Sequence, residues 1–159
     1  MKIILATDGT SYSDAAAQML CKFDVGPDDE IIVVSVIDMA VPMAVDIYGG
    51  YLPDTTMIEE TARNNAKQFV ERTANLLKDA FKAKNVPVNT DILFGSPDSR
   101  IVEMAEKTGA ELIVIGSHGY NRWERLLLGS ISNSVVHHAP CSVMVVRSND
   151  PSQTDDETD

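Results

Sequence analysis

Two uninterrupted apolar runs, Ile31-Ile32-Val33-Val34 and Leu112-Ile113-Val114-Ile115, constrain this chain more than anything else in it. A strand with one face in water alternates apolar and polar residues. A continuous run of β-branched residues instead belongs to a strand covered on both faces, the usual condition in a parallel sheet packed between helices. Three further runs suit strands, Lys2–Thr7, Val88–Phe94 and Ser142–Val146, and the two continuous runs extend to Glu30–Ile37 and Glu111–Ile115.

Helical periods separate these runs. Ala15, Ala16, Met19, Leu20 and Phe23 describe one face of a first helix, with Thr10, Ser11 and Ser13 as cap candidates. Apolar residues at Ala62, Ala66, Phe69, Val70, Leu76, Leu77, Ala80 and Phe81 predict a longer helix from Met57 to Lys84, with Thr56 and Glu59 as a capping box. Ser96-Pro97 opens a third helix that Gly109 closes. A last helix begins near Ser130 and stops before Ala139-Pro140. Strand and helix thus alternate throughout, which predicts a single-domain α/β fold with a five-stranded, parallel, doubly wound, Rossmann-like sheet. Ligands in such sheets sit at the carboxyl ends of the strands, where the strand order reverses.

Size and charge narrow the function. At 159 residues the chain is long enough for one real core, about 68–70% of its unfolded surface being buried on folding. No apolar run approaches the ~18 residues of a membrane span. The opening meets Asp8 too early for a signal-peptide core, so the expected location is cytoplasmic. Cys21 and Cys141 each lie in an apolar pattern and read as small buried hydrophobes, not as a disulfide. The formal net charge of −11 argues against binding a nucleic-acid backbone. Five acids and no base fall in residues 148–159, which read as a disordered acidic tail beyond a domain of residues 1–147. Asp38 to Thr55 forms a connection long enough to suggest either a flap or a variable surface excursion.

The chemistry concentrates in Gly116-Ser117-His118-Gly119 and Gly129-Ser130-Ile131-Ser132. Gly116 ends the fourth strand, where a sharp turn and a close backbone approach both want a missing side chain. Gly129-Ser130 starts the last helix, whose first N–H groups have no internal partners and whose dipole favours an anion. A phosphate satisfies both halves, although tight turning and helix initiation alone would also explain the glycines. No Gly-Lys-Ser/Thr follows, so this is not a P-loop. The spacing is not the dinucleotide fingerprint either.

Gly116-x-x-Gly119, nine residues, then Gly129-Ser130 resembles the ATP-binding signature of the universal stress protein family. The resemblance spans Met1 to Arg147. It includes Ile4-Leu5-Ala6-Thr7-Asp8, Val34-Ser35-Val36-Ile37-Asp38, Gly95-Ser96-Pro97 and the closing Ala139-Pro140-Cys141-Ser142-Val143-Met144-Val145-Val146-Arg147. Thr10 stands where family members often have Ser, and the tail lies outside the pattern. The resemblance implies the ATP-binding branch and the adenine nucleotide alpha hydrolase-like fold. It implies that Ala6, Thr7 and Asp8 face the adenosine and that Val36 meets the adenine edge through its backbone. Gly116, Ser117, His118 and Gly119 would wrap ribose and phosphates, while Gly129, Ser130, Ile131 and Ser132 would hold phosphates, with Arg122 as a further phosphate contact. Mg²⁺ or Mn²⁺ could accompany the triphosphate at Asp8 or Asp38.

His118 could serve a phosphate or donate one structural hydrogen bond, and no acid, base and nucleophile set stands out. The last strand, Ser142–Val146, would lie at a sheet edge, and the resemblance implies a homodimer through it. The expectation is an ATP-responsive regulatory protein of the stress-response type. Two rivals are a slow ATPase on the same scaffold and a dimeric interaction module with an empty site.

Overall fold

The computed structural model describes residues 1–38, 56–118 and 128–148. The expected long connection, Gly119, Arg122 and the acidic tail beyond Ser148 therefore lie outside the described residues. The strands are β1 (Lys2–Ala6), β2 (Glu30–Ile37), β3 (Val88–Phe94), β4 (Leu112–Gly116) and β5 (Ser142–Val146). They form one parallel sheet in the order β3-β2-β1-β4-β5. The helices are α1 (Ser11–Leu20), α2 (Thr56–Ala80), α3 (Pro97–Thr108) and α4 (Ser130–His138). The α/β class, the parallel sheet and its five strands are as the sequence predicts.

Two apolar layers explain why the strand runs are continuous. Ile3, Leu5, Ile31, Val33 and Val114 face α1 and α2, joined there by Leu20, Val70, Leu77 and Phe81. Their neighbours Ile4, Ile32, Val34, Ile113 and Ile115 face the other way, toward Ile101 and Ala105 of α3 and Val135 of α4. Successive side chains point to opposite faces, so a strand buried on both sides needs an apolar residue at every position. Burying each such side chain contributes about 1.5–3 kcal/mol.

The helices depart from expectation in two places. The buried face of α1 is Ser13, Ala16, Ala17 and Leu20, whereas Met19 and Phe23 are more than a third exposed. Thr10 caps the helix by accepting from the Ser13 N–H, and the small residues Ser13, Ala16 and Ala17 make up most of the face turned to the sheet. The α-helical part of α2 stops at Ala80 rather than Lys84, and Leu76 is exposed. Phe81 turns inward, Lys82–Lys84 tighten into a 3₁₀ turn, and Asn85 adopts a left-handed conformation with φ of 52°. The start of α3 follows the sequence reading, with Pro97 in its first turn and Gly109 closing its end. Ser96 takes the N-cap place without capping, because its hydroxyl bonds Asp98 at 2.6 Å instead. Cys21 and Cys141 are half-buried free thiols, and burial pushes both pKa values up. Among the described residues no helix is long and apolar enough to cross a membrane.

The chain winds from β1 outward to β3, then returns to the other side of β1 to lay down β4 and β5. The reversal separates β1 from β4 at their carboxyl ends, which opens a crevice there.

Candidate functional site

A cleft of about 500 Å³ occupies that crevice, a size suited to a small-molecule ligand. Its floor is the ends of three adjacent strands: Ala6, Thr7 and Asp8 at the end of β1, Val34 to Asp38 at the end of β2, and Gly116 and His118 at the end of β4. Gly129, Ser130, Ile131 and Ser132 close one side. Ala62, Asn65, Ala66 and Phe69 of α2 and Pro97 and Ile101 of α3 make the remaining walls. One end is therefore largely apolar, and the other presents a helix start.

The turn after β1 is fixed by short polar contacts. One Asp8 carboxylate oxygen accepts from the Thr10 N–H at 3.1 Å and from the Thr10 hydroxyl at 2.6 Å. Thr10 in turn accepts from the Ser13 N–H, so carboxylate and cap brace each other at the entrance to α1. Beneath them lies a buried set of hydroxyls. Thr73 donates to Thr7 at 3.4 Å, and Thr7 donates to Ser13 at 3.3 Å, linking α2, β1 and α1 under the cleft.

Gly116 has a different reason from the one its position suggests. A Cβ there would come 2.7 Å from the Tyr12 carbonyl carbon and 2.8 Å from its oxygen. The missing side chain lets β4 pass close to the backbone of α1, a requirement of packing that exists without any ligand. Ser117 likewise sits behind the cleft and not on its surface. It is 1% exposed, and its N–H donates to the Val146 carbonyl at 2.8 Å. Its own carbonyl accepts from the Gly129 N–H at 2.8 Å and from the Ser132 hydroxyl at 2.9 Å. Ser117 thus staples the end of β4 to the start of α4.

Consequently the Ser132 hydroxyl is taken up within the protein, and what this residue offers the cleft is its N–H. The N–H groups of Ser130, Ile131 and Ser132 open α4 and have no carbonyl of that helix to bond. With the helix dipole they form an anion-binding end. His118 lines the cleft with its ring 5.3 Å from that of Tyr12 and Nδ1 3.1 Å from the Ser117 hydroxyl. The structure thus brings Ala6, Thr7, Asp8, Val36, Gly116, His118, Gly129, Ser130, Ile131 and Ser132 to one cleft, and places Ser117 behind it. Gly119 and Arg122 lie outside the described residues.

The α2 wall is what sequence reasoning missed. Ala62, Asn65, Ala66 and Phe69 recur at three- and four-residue steps, and three of them read as ordinary core. The signal available was Asn65, an amide in line with an apolar stripe. Asp8 and Asp38 both line the cleft, but among the described residues no three His, Cys, Asp or Glu side chains converge to hold a metal. A divalent cation there would need oxygen ligands from a bound phosphate chain.

Comparison with known proteins agrees with this architecture. The sequence model of the Universal stress protein family matches residues 1–147. A universal stress protein of Methanocaldococcus jannaschii is 30% identical over 146 residues, which cover 92% of this chain and 81% of that protein. Among solved structures, a universal stress protein family protein from Arabidopsis thaliana, with AMP bound, aligns with a TM-score of 0.63 at 17% identity. The match covers 98% of this chain and 97% of that one. A universal stress protein in complex with cAMP aligns with a TM-score of 0.59 at 16% identity, over 93% and 97% of the two chains. At these identities the structural likeness is one of fold.

Proposed function

The chain belongs to the universal stress protein family, and we propose that it is an ATP-binding regulatory member of that family. The observation that carries this reading is the pairing of two ends within one cleft. Val34, Val36, Ala62, Ala66 and Phe69 supply an apolar slot for a base, and the free start of α4 supplies donors for phosphates. Val36, in the strand that ends beside β1, offers backbone groups at the base end. Asp8 lines the cleft from the turn after β1, the strand between β2 and β4, and on this reading its carboxylate accepts from ribose hydroxyls. Structural relatives carrying AMP and cAMP support an adenine nucleotide as the ligand class. Mg²⁺ or Mn²⁺ would enter with the triphosphate, with Asp8 or Asp38 as its protein carboxylate.

The working form is a homodimer through β5. That strand lies at the sheet edge, and Val143, Met144 and Val145 along it are only half-buried. Bound ATP acts by shifting conformation or partner affinity, not as a substrate that turns over rapidly.

Titration calorimetry of the full chain with ATP, beside Gly129→Asp, tests the proposal. A Cβ at Gly129 would already lie 3.1 Å from the Ser117 carbonyl oxygen, and an added carboxylate would meet the phosphates. The expected result is a heat of binding for the natural chain and at least a tenfold loss in the variant. No heat from the natural chain would refute the reading. Steady ADP formation abolished by Gly129→Asp would favour the slow ATPase instead.

A further inference from the structure

Asp98 and Ser134 are 36 residues apart, and neither lines the cleft, yet they join α3, which walls the cleft with Pro97 and Ile101, to α4, whose start is its anion end. The Ser134 hydroxyl on α4 donates to one carboxylate oxygen of Asp98 in the first turn of α3 at 2.7 Å. The Ser96 hydroxyl donates to the other oxygen at 2.6 Å. Asp98 therefore ties the Gly95-Ser96-Pro97 turn, α3 and α4 together, in the same helical turn as Pro97 and Ile101, which do line the cleft.

What this contact fixes follows from the geometry of α4. The helix has nine residues and buries Ser132 and Val135, with Ile131 packed against the same layer. Packing of Val135 and Ile131 holds the helix against its neighbour, and a directional hydrogen bond lower on the helix narrows its rotation about the axis further. The Ser117 staple pins its first residues. Ser134 lies one turn below Ser130 on the same face, so a bond to Ser134 sets the rotation that aims Ser130. A turn of about 20° would move backbone atoms, which lie about 2.3 Å from the axis, by roughly 0.8 Å. Displacements of that size matter for charge-assisted hydrogen bonds.

We propose that Asp98 is a positioning residue for the anion end of the cleft: through Ser134 it sets the orientation of α4, and so the aim of the Ser130, Ile131 and Ser132 N–H groups at a phosphate chain. This rests on the nucleotide reading above. Asp98 does not line the cleft, so on this proposal it acts on a bound phosphate chain only through α4. Its own negative charge would by itself disfavour an anion nearby, and the Ser134 and Ser96 hydroxyls that it accepts temper that charge. Its contribution is geometric, and it should separate ligands that carry phosphates from those that do not.

The test measures ATP and adenosine affinity by titration calorimetry for the natural chain, Asp98→Ala, Ser134→Ala and the double variant. Circular dichroism checks that each is folded. Positioning predicts about fivefold to tenfold weaker ATP binding in both single variants, with adenosine binding changed less than twofold. The double variant should be no worse than Asp98→Ala alone, because that substitution already removes the Ser134 contact together with the Ser96 one. Ser134→Ala keeps the test decisive if Asp98→Ala does not fold. Equal losses for ATP and adenosine would mean general loosening and would overturn the proposal. Unchanged ATP affinity would overturn it too, as would tighter ATP binding in Asp98→Ala alone, the mark of relieved repulsion. In each of those cases the natural chain binds ATP and the nucleotide reading stands. Absence of ATP binding by the natural chain would remove both together.

Discussion

Replacing Gly116 with alanine adds one methyl group, and the structure says that it has nowhere to go. The new Cβ would lie 2.7 Å from the Tyr12 carbonyl carbon, 2.8 Å from its oxygen and 2.9 Å from its Cβ, where ordinary contact begins at 3.4 Å. About 0.7 Å must be recovered by moving α1 away from β4. That movement is resisted, because Ala16, Ala17 and Leu20 on the inner face of α1 are at most 1% exposed. Overpacking of this kind costs about 1–3 kcal/mol, and backbone on both sides of the contact places Gly116→Ala near ~2 kcal/mol. With a urea m-value of about 2 kcal/mol per molar, the unfolding midpoint should fall by about 1 M at unchanged slope. Heating should show a Tm lower by roughly 4–8 °C. Ser13 lines the cleft from α1, so ATP affinity should drop as well. A midpoint within about 0.2 M of the natural chain would refute the reasoning, since it would mean that β4 and α1 accommodate the added methyl group without cost.

Three further outcomes follow from the same contacts. Thr7→Val removes the hydroxyl that serves Thr73 and Ser13, leaving Thr73 without its acceptor, and should cost about 1–2 kcal/mol in urea unfolding. Thr10→Ala removes both the α1 cap and the hydroxyl donor to Asp8, and should cost about 1 kcal/mol by the same assay. The Ser134 hydroxyl first, and the Ser96 hydroxyl next, hold the Asp98 carboxyl below its ordinary value near 3.8. A depressed carboxylate stabilises above that value and loses its contribution as pH falls through its folded pKa. The natural chain should therefore be more stable than Asp98→Ala at neutral pH, with the gap closing as pH falls below about 3.8 in acid titrations followed by circular dichroism.

How much of this could be read without coordinates depended on the kind of signal. The sheet was legible because Ile31–Val34 and Leu112–Ile115 are apolar at every position, and few environments accept that. Strand ends carrying Asp8 and Gly116 located the cleft for the same reason, since an open parallel sheet has its crevice there. The face of α1 was misread because Met19 and Phe23 are apolar yet exposed, while Ser13, a polar residue, lies on the buried face with Ala16, Ala17 and Leu20. The α2 wall stayed hidden because Ala62, Ala66 and Phe69 look alike whether they pack against a core or a ligand. Gly116 was singled out, but its neighbour proved to be Tyr12 of α1, more than a hundred residues earlier in the chain. No local pattern could reveal that, and the bond between Asp98 and Ser134 is beyond local pattern for the same reason.

The central claim is that the start of α4 receives phosphate while the β2 and α2 side receives the base. Amide chemical shifts in an ATP titration of the isotope-labelled chain, repeated with adenosine, test it most directly. The account predicts that ATP moves the Ser130, Ile131 and Ser132 amides together with Val36, and that adenosine moves Val36 but leaves the α4 amides nearly still. ATP binding that leaves Ser130, Ile131 and Ser132 unmoved, or shifts confined to residues outside the cleft, would contradict it.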